Sequence, residues 1–132
     1  GESVNRRTGG GDMGYQSFKE LKVWQVAKNL AIDIYKISRT ESFIYDRGLR
    51  DQMRRAAVSV AANIAEGYER NSSKDFIRFL LIAKGSLSEL RTCIEIAAGI
   101  GSLSETALAE MEDRCLHIGA MLTKLIHCRA ST

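Results

Sequence analysis

The segment from Leu49 to Gly67 constrains the fold more than any other part of this chain. It reads LRDQMRRAAVSVAANIAEG, so that apolar residues recur at helical spacing beside three arginines and a polar Ser-Asn-Glu strip. The chain contains no proline, and its other periodic segments are also about twenty residues long, with short breaks rich in glycine, serine and asparagine between them. This pattern is typical of an all-α protein and excludes a β-sandwich.

Periodicity and capping signals predict four helices. A serine opens the first, third and fourth, and an acidic residue three positions later completes a capping box in each. Because the breaks are short, successive helices should run antiparallel, which predicts an up-and-down four-helix bundle. The predicted bounds are Ser17–Ser38, Arg47–Glu69 with Gly67 placed to end or weaken the helix, Ser72 to Gly99 or Gly101, and Ser102 onward.

Size and composition predict one domain. With 132 residues, 45% of them hydrophobic, the chain can bury a substantial core. Residues 1–14 lack an apolar run and reach a methionine only at Met13, so they are interpreted as a disordered expression leader, and residues 15–132 as the bundle domain. Cys93, Cys115 and Cys128 are odd in number, lack a C-x-x-C spacing and fall within helical patterns, which predicts reduced core thiols. No signal peptide or apolar run of membrane-spanning length follows the leader, so a cytoplasmic protein without membrane contact is predicted.

The first predicted helix carries more apolar surface than one bundle position needs. On a helical wheel its apolar residues fill an arc about 180° wide, whereas the apolar stripe of the fourth helix is about 100° wide. A monomer would expose that surplus, so self-association through the first two helices is predicted. The residues assigned to this oligomer interface are Val26, Leu30, Ala57, Ala61 and Ala65.

Three segments in a fixed order give the chain a family resemblance. They are FKELKVWQVA at Phe18–Ala27, GLRDQMRRAAVSVAANIAEGYERNS at Gly48–Ser72, and DFIRFLLIAKGSLSEL at Asp75–Leu90. In these segments the chain resembles the four-helix-bundle proteins encoded by intervening sequences in bacterial 23S ribosomal RNA genes. Those proteins are similar to the accessory variability determinant of diversity-generating retroelements.

The resemblance implies an antiparallel bundle that assembles into a homo-oligomeric ring, pentameric in relatives. It also implies a basic surface for RNA or DNA and, in the retroelement branch, a reverse transcriptase as partner. No catalytic activity is established for the family. The chain departs from the family pattern because it lacks proline at Phe43-Ile44 in the first interhelical loop and at Val60–Ala62 in the second helix. The second departure favours a straighter second helix.

The residue pattern predicts neither an enzyme nor a metal site. A di-metal carboxylate bundle needs Glu-x-x-His motifs, which are missing, and His117 and His127 lie on the polar side of the fourth helix. The chain has no nucleophile elbow, no glycine-rich phosphate loop and no cysteine beside a plausible base, so no catalytic residue and no cofactor is assigned. Polar residues bordering the second and third helices are assigned to a structural network that fixes register: Ser59, Asn63, Glu66, Ser86 and Glu89.

The second helix carries the candidate functional residues. Arg47, Arg50 and Arg54 fall within about 60° of one another at its N-terminal end, where the helix dipole disfavours cations and a bound anion would relieve that cost. With Arg55 beside them, they are assigned to the phosphates of RNA or DNA, and repetition around a ring would strengthen the patch. The patch has no interleaved exposed aromatic residues, so binding should be insensitive to base sequence.

Two other interpretations of these charges stay open. The net charge of +3 is compatible with a polyanionic partner without requiring one, and the arginines also fit a solvated face partly balanced by nearby aspartates. The alternative function is a protein-interaction scaffold, for example an accessory subunit of a reverse transcriptase, without direct contact with nucleic acid. An enzyme of unrecognised type is the least favoured class.

Overall fold

A computed structural model describes residues 17–131 of the chain. This part forms four α-helices and two short 3-10 turns and contains no β-strand, which confirms the all-α prediction. None of the described helices has the length and apolar character needed to cross a membrane. The predicted leader, residues 1–14, lies outside the described residues. The helices are α1, Lys22–Ile37; α2, Arg47–Tyr68; α3, Ser73–Gly99; and α4, Glu105–Ala130; the 3-10 turns are Phe18–Glu20 and Glu41–Phe43.

The first α-helix begins later than the sequence predicts. Ser17 caps the first 3-10 turn, because its Oγ accepts a hydrogen bond from the backbone N–H of Lys19 at 3.1 Å. Leu21 then adopts an extended conformation and buries its side chain in the core, which separates this turn from α1. Ser17 therefore caps a separate turn, and α1 starts at Lys22 without a side-chain cap.

The predicted bounds of α2 and α3 agree with the structure to within one or two residues. The N-cap of α3 is Ser72, whose Oγ accepts a hydrogen bond from the backbone N–H of Asp75 at 3.1 Å. This bond satisfies one of the amide groups that have no partner inside the first turn of a helix. At its other end α3 stops at Gly99, which is the first of the two ends that the sequence predicts.

The start of α4 is two residues later than predicted. Its N-cap is Ser104, whose Oγ accepts a hydrogen bond from the backbone N–H of Ala107 at 3.1 Å. Ser102 instead donates its hydroxyl to the carbonyl oxygen of Ser42 at 3.1 Å, which ties this loop to the loop between α1 and α2. Gly101 has a φ of +85°, a left-handed conformation that glycine adopts without strain and that turns the chain after α3.

One hydrophobic core joins the four helices. Each large aliphatic side chain that it buries contributes about 1.5–3 kcal/mol, so the core outweighs any exposed ion pair. The second 3-10 turn also contributes, because it places an aromatic ring in the core. The largest fully buried side chains include Phe43, Leu30, Ile34, Met53, Ile64, Leu80, Leu90, Ile94, Ile118 and Leu122.

The core contains two residues that the sequence assigns to an oligomer interface. Leu30 is 1% exposed and Ala57 is 0% exposed, so both are covered by their own chain and offer no surface to a second copy. Val26 is half-buried in a groove between α1 and α4, and Ala61 and Ala65 are half-buried on α2. The wide apolar arc of α1 is therefore used largely inside the chain, because α2 and α4 both pack against it.

Polar side chains add specific contacts between neighbouring helices. One ion pair links α4 to α1, and α3 is linked to α4 by a second ion pair and by a hydrogen bond between an ammonium and a hydroxyl group. The pairs are Arg114 with Asp33 at 2.8 Å, Arg91 with Glu112 at 3.0 Å, and Lys84 with Thr123 at 2.7 Å.

Gly67 brings the last turn of α2 directly against the first turns of α3. A Cβ atom at this position would lie 2.7 Å from the Cβ of Phe79 and 2.9 Å from the Cδ1 of Phe76. Both distances are too short for carbon atoms in contact, so no other residue fits without a shift of the neighbouring helix. Gly67 is buried inside the last turn of α2, which continues to Tyr68. Its role is to allow a close approach between α2 and α3.

Replacing Gly67 by alanine should lower the free energy of unfolding by about 1–3 kcal/mol, because the added methyl group overlaps two phenylalanine side chains. Gly85→Ala is the matched control, since Gly85 is an exposed helical residue of α3 and its added Cβ would meet nothing within 4 Å. That control should be neutral or raise stability by up to about 1 kcal/mol. Chemical denaturation followed by circular dichroism measures both, and equal effects would contradict the close approach.

Candidate functional site

The four arginines assigned from the sequence do not form one uniform patch on α2. Arg47 and Arg55 are exposed and make no ion pair with other described residues. Arg50 donates from Nε to Oδ1 of Asp51 at 3.2 Å, so its charge is partly compensated. Arg54 is directed toward the end of α1. Two of the four guanidinium groups are therefore freely available to a ligand.

Arg54 closes the C-terminal end of α1. Its Nε donates a hydrogen bond to Oγ of Ser38 at 2.8 Å, and its Nη2 donates to the carbonyl oxygen of Tyr35 at 3.3 Å. The guanidinium also stacks on the Tyr35 ring, 4.6 Å from the ring centre. Because the last carbonyl groups of a helix carry partial negative charge and lack intrahelical partners, a cation there is stabilising. Arg54 lies about two turns into α2, where the dipole of its own helix acts on it weakly, so this contact sets its role, which is primarily structural.

Basic residues of α1 extend the charged surface beyond α2. Two adjoining grooves, of about 510 and 480 Å³, run between α1 and α2 and share Tyr35 and Val58 as lining residues. Their lining includes one carboxylate, that of Asp51, which already pairs with Arg50. We call these grooves and their cations the α1–α2 basic face. The cations are Lys28, Lys36, Arg39, Arg54 and Arg55.

The floor of the α1–α2 basic face is apolar and includes an aromatic ring. Ile32 and Val58 are each 44% exposed, and Tyr35 is 38% exposed. The sequence places Tyr35 in the apolar arc of α1, but the edge of that arc extends past the core and reaches the surface beside Arg54. The expectation that no exposed aromatic residue accompanies the arginines is therefore corrected. Such a face can pair with phosphates along its walls and contact sugars or bases along its floor.

Sequence reasoning missed three cations in α1 and in the turn that follows it. Lys28, Lys36 and Arg39 are spread over twelve residues and look like ordinary solvated positions when this segment is considered alone. Their spacing nevertheless places them on one side of the helix, together with Ile32 and Tyr35. This pattern is the signal that could have identified them, but only the packing shows that this side borders α2.

The polar network predicted between α2 and α3 is smaller than expected. The hydroxyl groups of Ser59 and Ser86 share a hydrogen bond of 2.8 Å, and Nδ2 of Asn63 donates to Oγ of Ser59 at 3.0 Å. Glu66 instead forms an exposed ion pair of 2.7 Å with Arg70, which lies just after the end of α2. Glu89 is exposed and makes no hydrogen bond with other described residues. The register between the two helices therefore depends on hydroxyl and amide groups, and the two carboxylates do not take part.

Cys93 of α3 and Cys115 of α4 are buried thiols, whereas Cys128 of α4 is exposed, so the prediction of a core position is wrong for Cys128. Burial, reinforced by the nearby carboxylate of Glu112, raises the pKa of Cys115 from its ordinary 9.0 to about 11. Burial also raises the pKa of Cys93, with a smaller contribution from Glu89. Both groups therefore stay protonated near neutral pH, which is the unreactive form. Among residues 17–131 no group of three or more His, Cys, Asp or Glu side chains is arranged to hold a metal ion.

Comparison with known proteins identifies the family. The family model described as 23S rRNA-intervening sequence protein matches residues 19–124. The chain belongs to this family. A protein of unknown function from the S23 ribosomal protein family of Bacteroides thetaiotaomicron VPI-5482 has a similar fold in its crystal structure, with a TM-score of 0.72, 20% identity, and coverage of 79% of this chain and 97% of that chain. None of the curated proteins matches the chain.

The match to the 23S rRNA-intervening sequence family confirms the resemblance carried by the three sequence segments. It spans all of α1, α2 and α3 and most of α4, so the whole α1–α2 basic face lies within the matched region. The similarity to the Bacteroides structure shows a shared fold alone.

Substitution of Arg54 by glutamine should lower the free energy of unfolding by about 1–2 kcal/mol, because it removes the cation and the hydrogen bonds at the end of α1. The adjacent substitution Arg55→Gln is the control and should change stability by less than about 0.5 kcal/mol, since Arg55 is exposed. Chemical denaturation of both variants gives the comparison. If the two variants were equally stable, Arg54 would have no structural role.

Proposed function

We propose that this member of the 23S rRNA-intervening sequence family is a non-catalytic homo-oligomer that binds the backbone of RNA or DNA through the α1–α2 basic face. The observation that carries this proposal is the charge of the two grooves, where five cationic side chains oppose one carboxylate. Lys36, Arg39 and Arg55 make no ion pair with other described residues, so their charges are available to phosphate groups.

The arrangement of the α1–α2 basic face suits an extended anion. Both walls carry cations, because α1 supplies Lys36, the turn after it supplies Arg39, and α2 supplies Arg55. An apolar floor between charged walls matches a polymer with a charged backbone and less polar sugars and bases. Phosphate contacts carry no sequence information, so the bound sequences should share little in common.

The proposed assembly is an antiparallel up-and-down bundle that forms a ring of identical copies. Its antiparallel order is supported by the contacts of α3 with α4. Lys84 pairs with Thr123, and Arg91, farther along α3, pairs with Glu112, which is nearer the start of α4. The ring and its pentameric number come from the family resemblance.

Self-association is better placed on α3 than on the first two helices. In a ring each copy presents one surface to a different surface of its neighbour, so an interface on the first two helices would cover the α1–α2 basic face. The outer side of α3 instead exposes aliphatic side chains at 42–55%, which we call the α3 stripe. Burial of this stripe between copies would leave the basic face open to nucleic acid. The α3 stripe consists of Leu81, Ile82 and Ile96, together with Ile100 at the C-cap of the helix.

Light scattering on the purified protein should give a mass several times 14.6 kDa, because the α3 stripe is covered in the assembly. The double substitution Ile82→Glu with Ile96→Glu should dissociate it while the helical circular dichroism stays unchanged, since both side chains are exposed in one chain. Leu116→Glu, at an exposed leucine of α4, is the control and should preserve the assembly. A monomeric wild-type protein at micromolar concentration would contradict self-association.

Replacing Lys36, Arg39 and Arg55 together by glutamine should weaken binding to RNA and DNA and reduce the slope of log affinity against log salt by up to about 3, as phosphate contacts are lost. Fluorescence anisotropy with labelled oligonucleotides of about 20 nucleotides and unrelated sequences measures both quantities. The control replaces Lys19, Lys22 and Lys74, which are exposed and lie outside the grooves, and should bind like the wild type.

The same titrations decide between the proposed function and its alternative. Absence of binding at low ionic strength, or an unchanged salt slope in the triple variant, would contradict nucleic-acid binding by this face. The protein-interaction scaffold, such as an accessory subunit of a reverse transcriptase, would then be the better description, and its partner binding should be insensitive to salt.

A further inference from the structure

We propose that the groove between α3 and α4 binds an acidic amphipathic helix of a partner protein. This groove has a volume of about 620 Å³ and shares no lining residue with the α1–α2 basic face. Nucleic-acid binding by that face is therefore not required for this second site. We call it the α3–α4 groove.

The α3–α4 groove has the shape of a helix-binding site. Its floor is apolar because the buried side chains of Leu87 and Cys115 lie beneath it. Gly119 and Ala120 line the middle of the α4 side, where their small size leaves room for a ligand. Leu116 also lines the α4 side of the groove, and its side chain is 52% exposed. A wall of small residues flanked by leucines allows the backbone of another helix to approach closely.

The length of the α3–α4 groove also fits a helix. Lining residues of α4 recur from Leu116 to His127 at spacings of three and four residues, so the groove follows one side of α4. At 1.5 Å per residue this stretch covers roughly 16 Å, which is about three helical turns. A partner helix of similar length would bury apolar residues at matching three- and four-residue spacings.

Positive charge is concentrated at one end of the α3–α4 groove. Lys84, Lys124 and His127 line this end, and the groove lining contains no carboxylate. The ammonium group of Lys84 is held by the hydroxyl of Thr123 at 2.7 Å, which is a neutral partner. Lys124 makes no ion pair with other described residues. Two full positive charges are thus left without a carboxylate at the place where a ligand would lie.

At the opposite end of the groove, the positive charge is compensated by a carboxylate. Arg91 binds Glu112 through Nε at 3.0 Å, and this hydrogen bond raises the pKa of the guanidinium group, with Glu95 adding a smaller effect. A nucleic-acid strand would gain from cations along its whole path, whereas here they occupy one end beside an apolar floor. A helix with an apolar face and acidic residues near one end is complementary to both features.

The binding test uses two labelled synthetic peptides of about 18 residues, a length that covers the groove with a turn to spare at each end. The first has leucines on one helical face and glutamates on the other, and the second replaces every glutamate by lysine. Fluorescence anisotropy with the full-length protein should show binding of the acidic peptide that is at least about tenfold tighter than binding of the basic peptide.

Two variants examine the charge and the shape of the groove separately. Lys84→Glu combined with Lys124→Glu reverses the charge, and Ala120→Phe fills the groove from an exposed position without entering the core. Each should weaken binding of the acidic peptide by at least about tenfold while circular dichroism stays unchanged. The control, Lys19→Glu with Lys22→Glu, makes the same change of net charge at exposed positions outside the groove and should bind like the wild type.

Several results would overturn the assignment of the α3–α4 groove. They are failure of the acidic peptide to bind at millimolar concentration, equal binding of both peptides, and unchanged affinity in the charge-reversed or the filled variant. Weaker oligonucleotide binding on charge reversal, without any peptide binding, would assign the groove to nucleic acid instead. Loss of oligonucleotide binding only in variants of the α1–α2 basic face would leave this inference intact, so the two proposals can fail independently.

Discussion

The close approach of α2 and α3 at Gly67 is the contact on which the rest of the structure depends. Because this residue has no Cβ, the last turn of α2 rests on Phe76 and Phe79 at the start of α3. About two turns away on each helix, the same register brings the hydroxyl of Ser59 to that of Ser86. The apolar faces of both helices are then aligned toward one core, against which α1 and α4 pack.

Much of this architecture can be predicted from local sequence signals. The predictions are wrong where a contact with a residue distant in the sequence determines the conformation. The cap at Ser72 uses a residue three positions away, so its pattern is visible in the sequence. Ser102 has the same local pattern, yet it bonds Ser42, sixty residues earlier in the chain. Leu30 and Ala57 show a related limit, because the width of an apolar arc reveals how much surface must be covered but not which neighbour covers it.

The candidate site was only partly predictable for the same reason. Helical spacing grouped the arginines of α2, but it treated each helix as isolated and so considered Arg54 only against its own dipole. In the folded chain this residue lies against the end of α1, where the direction of the dipole makes it favourable. The contact also brings Lys36 and Arg39 alongside Arg55, and no pattern within a single helix reports that juxtaposition.

The short length of α1 has a consequence for binding. This helix has 16 residues, whereas the other three have 22, 27 and 26, so it contributes the fewest turns to the bundle. Single elements of a fold can open at a free-energy cost below that of global unfolding. Because the α1–α2 basic face exists only while α1 is docked, an anion that spans it binds the closed form alone. Ligand affinity and the docking equilibrium of α1 are then thermodynamically linked, and an occupied copy holds its first helix more firmly than an empty one.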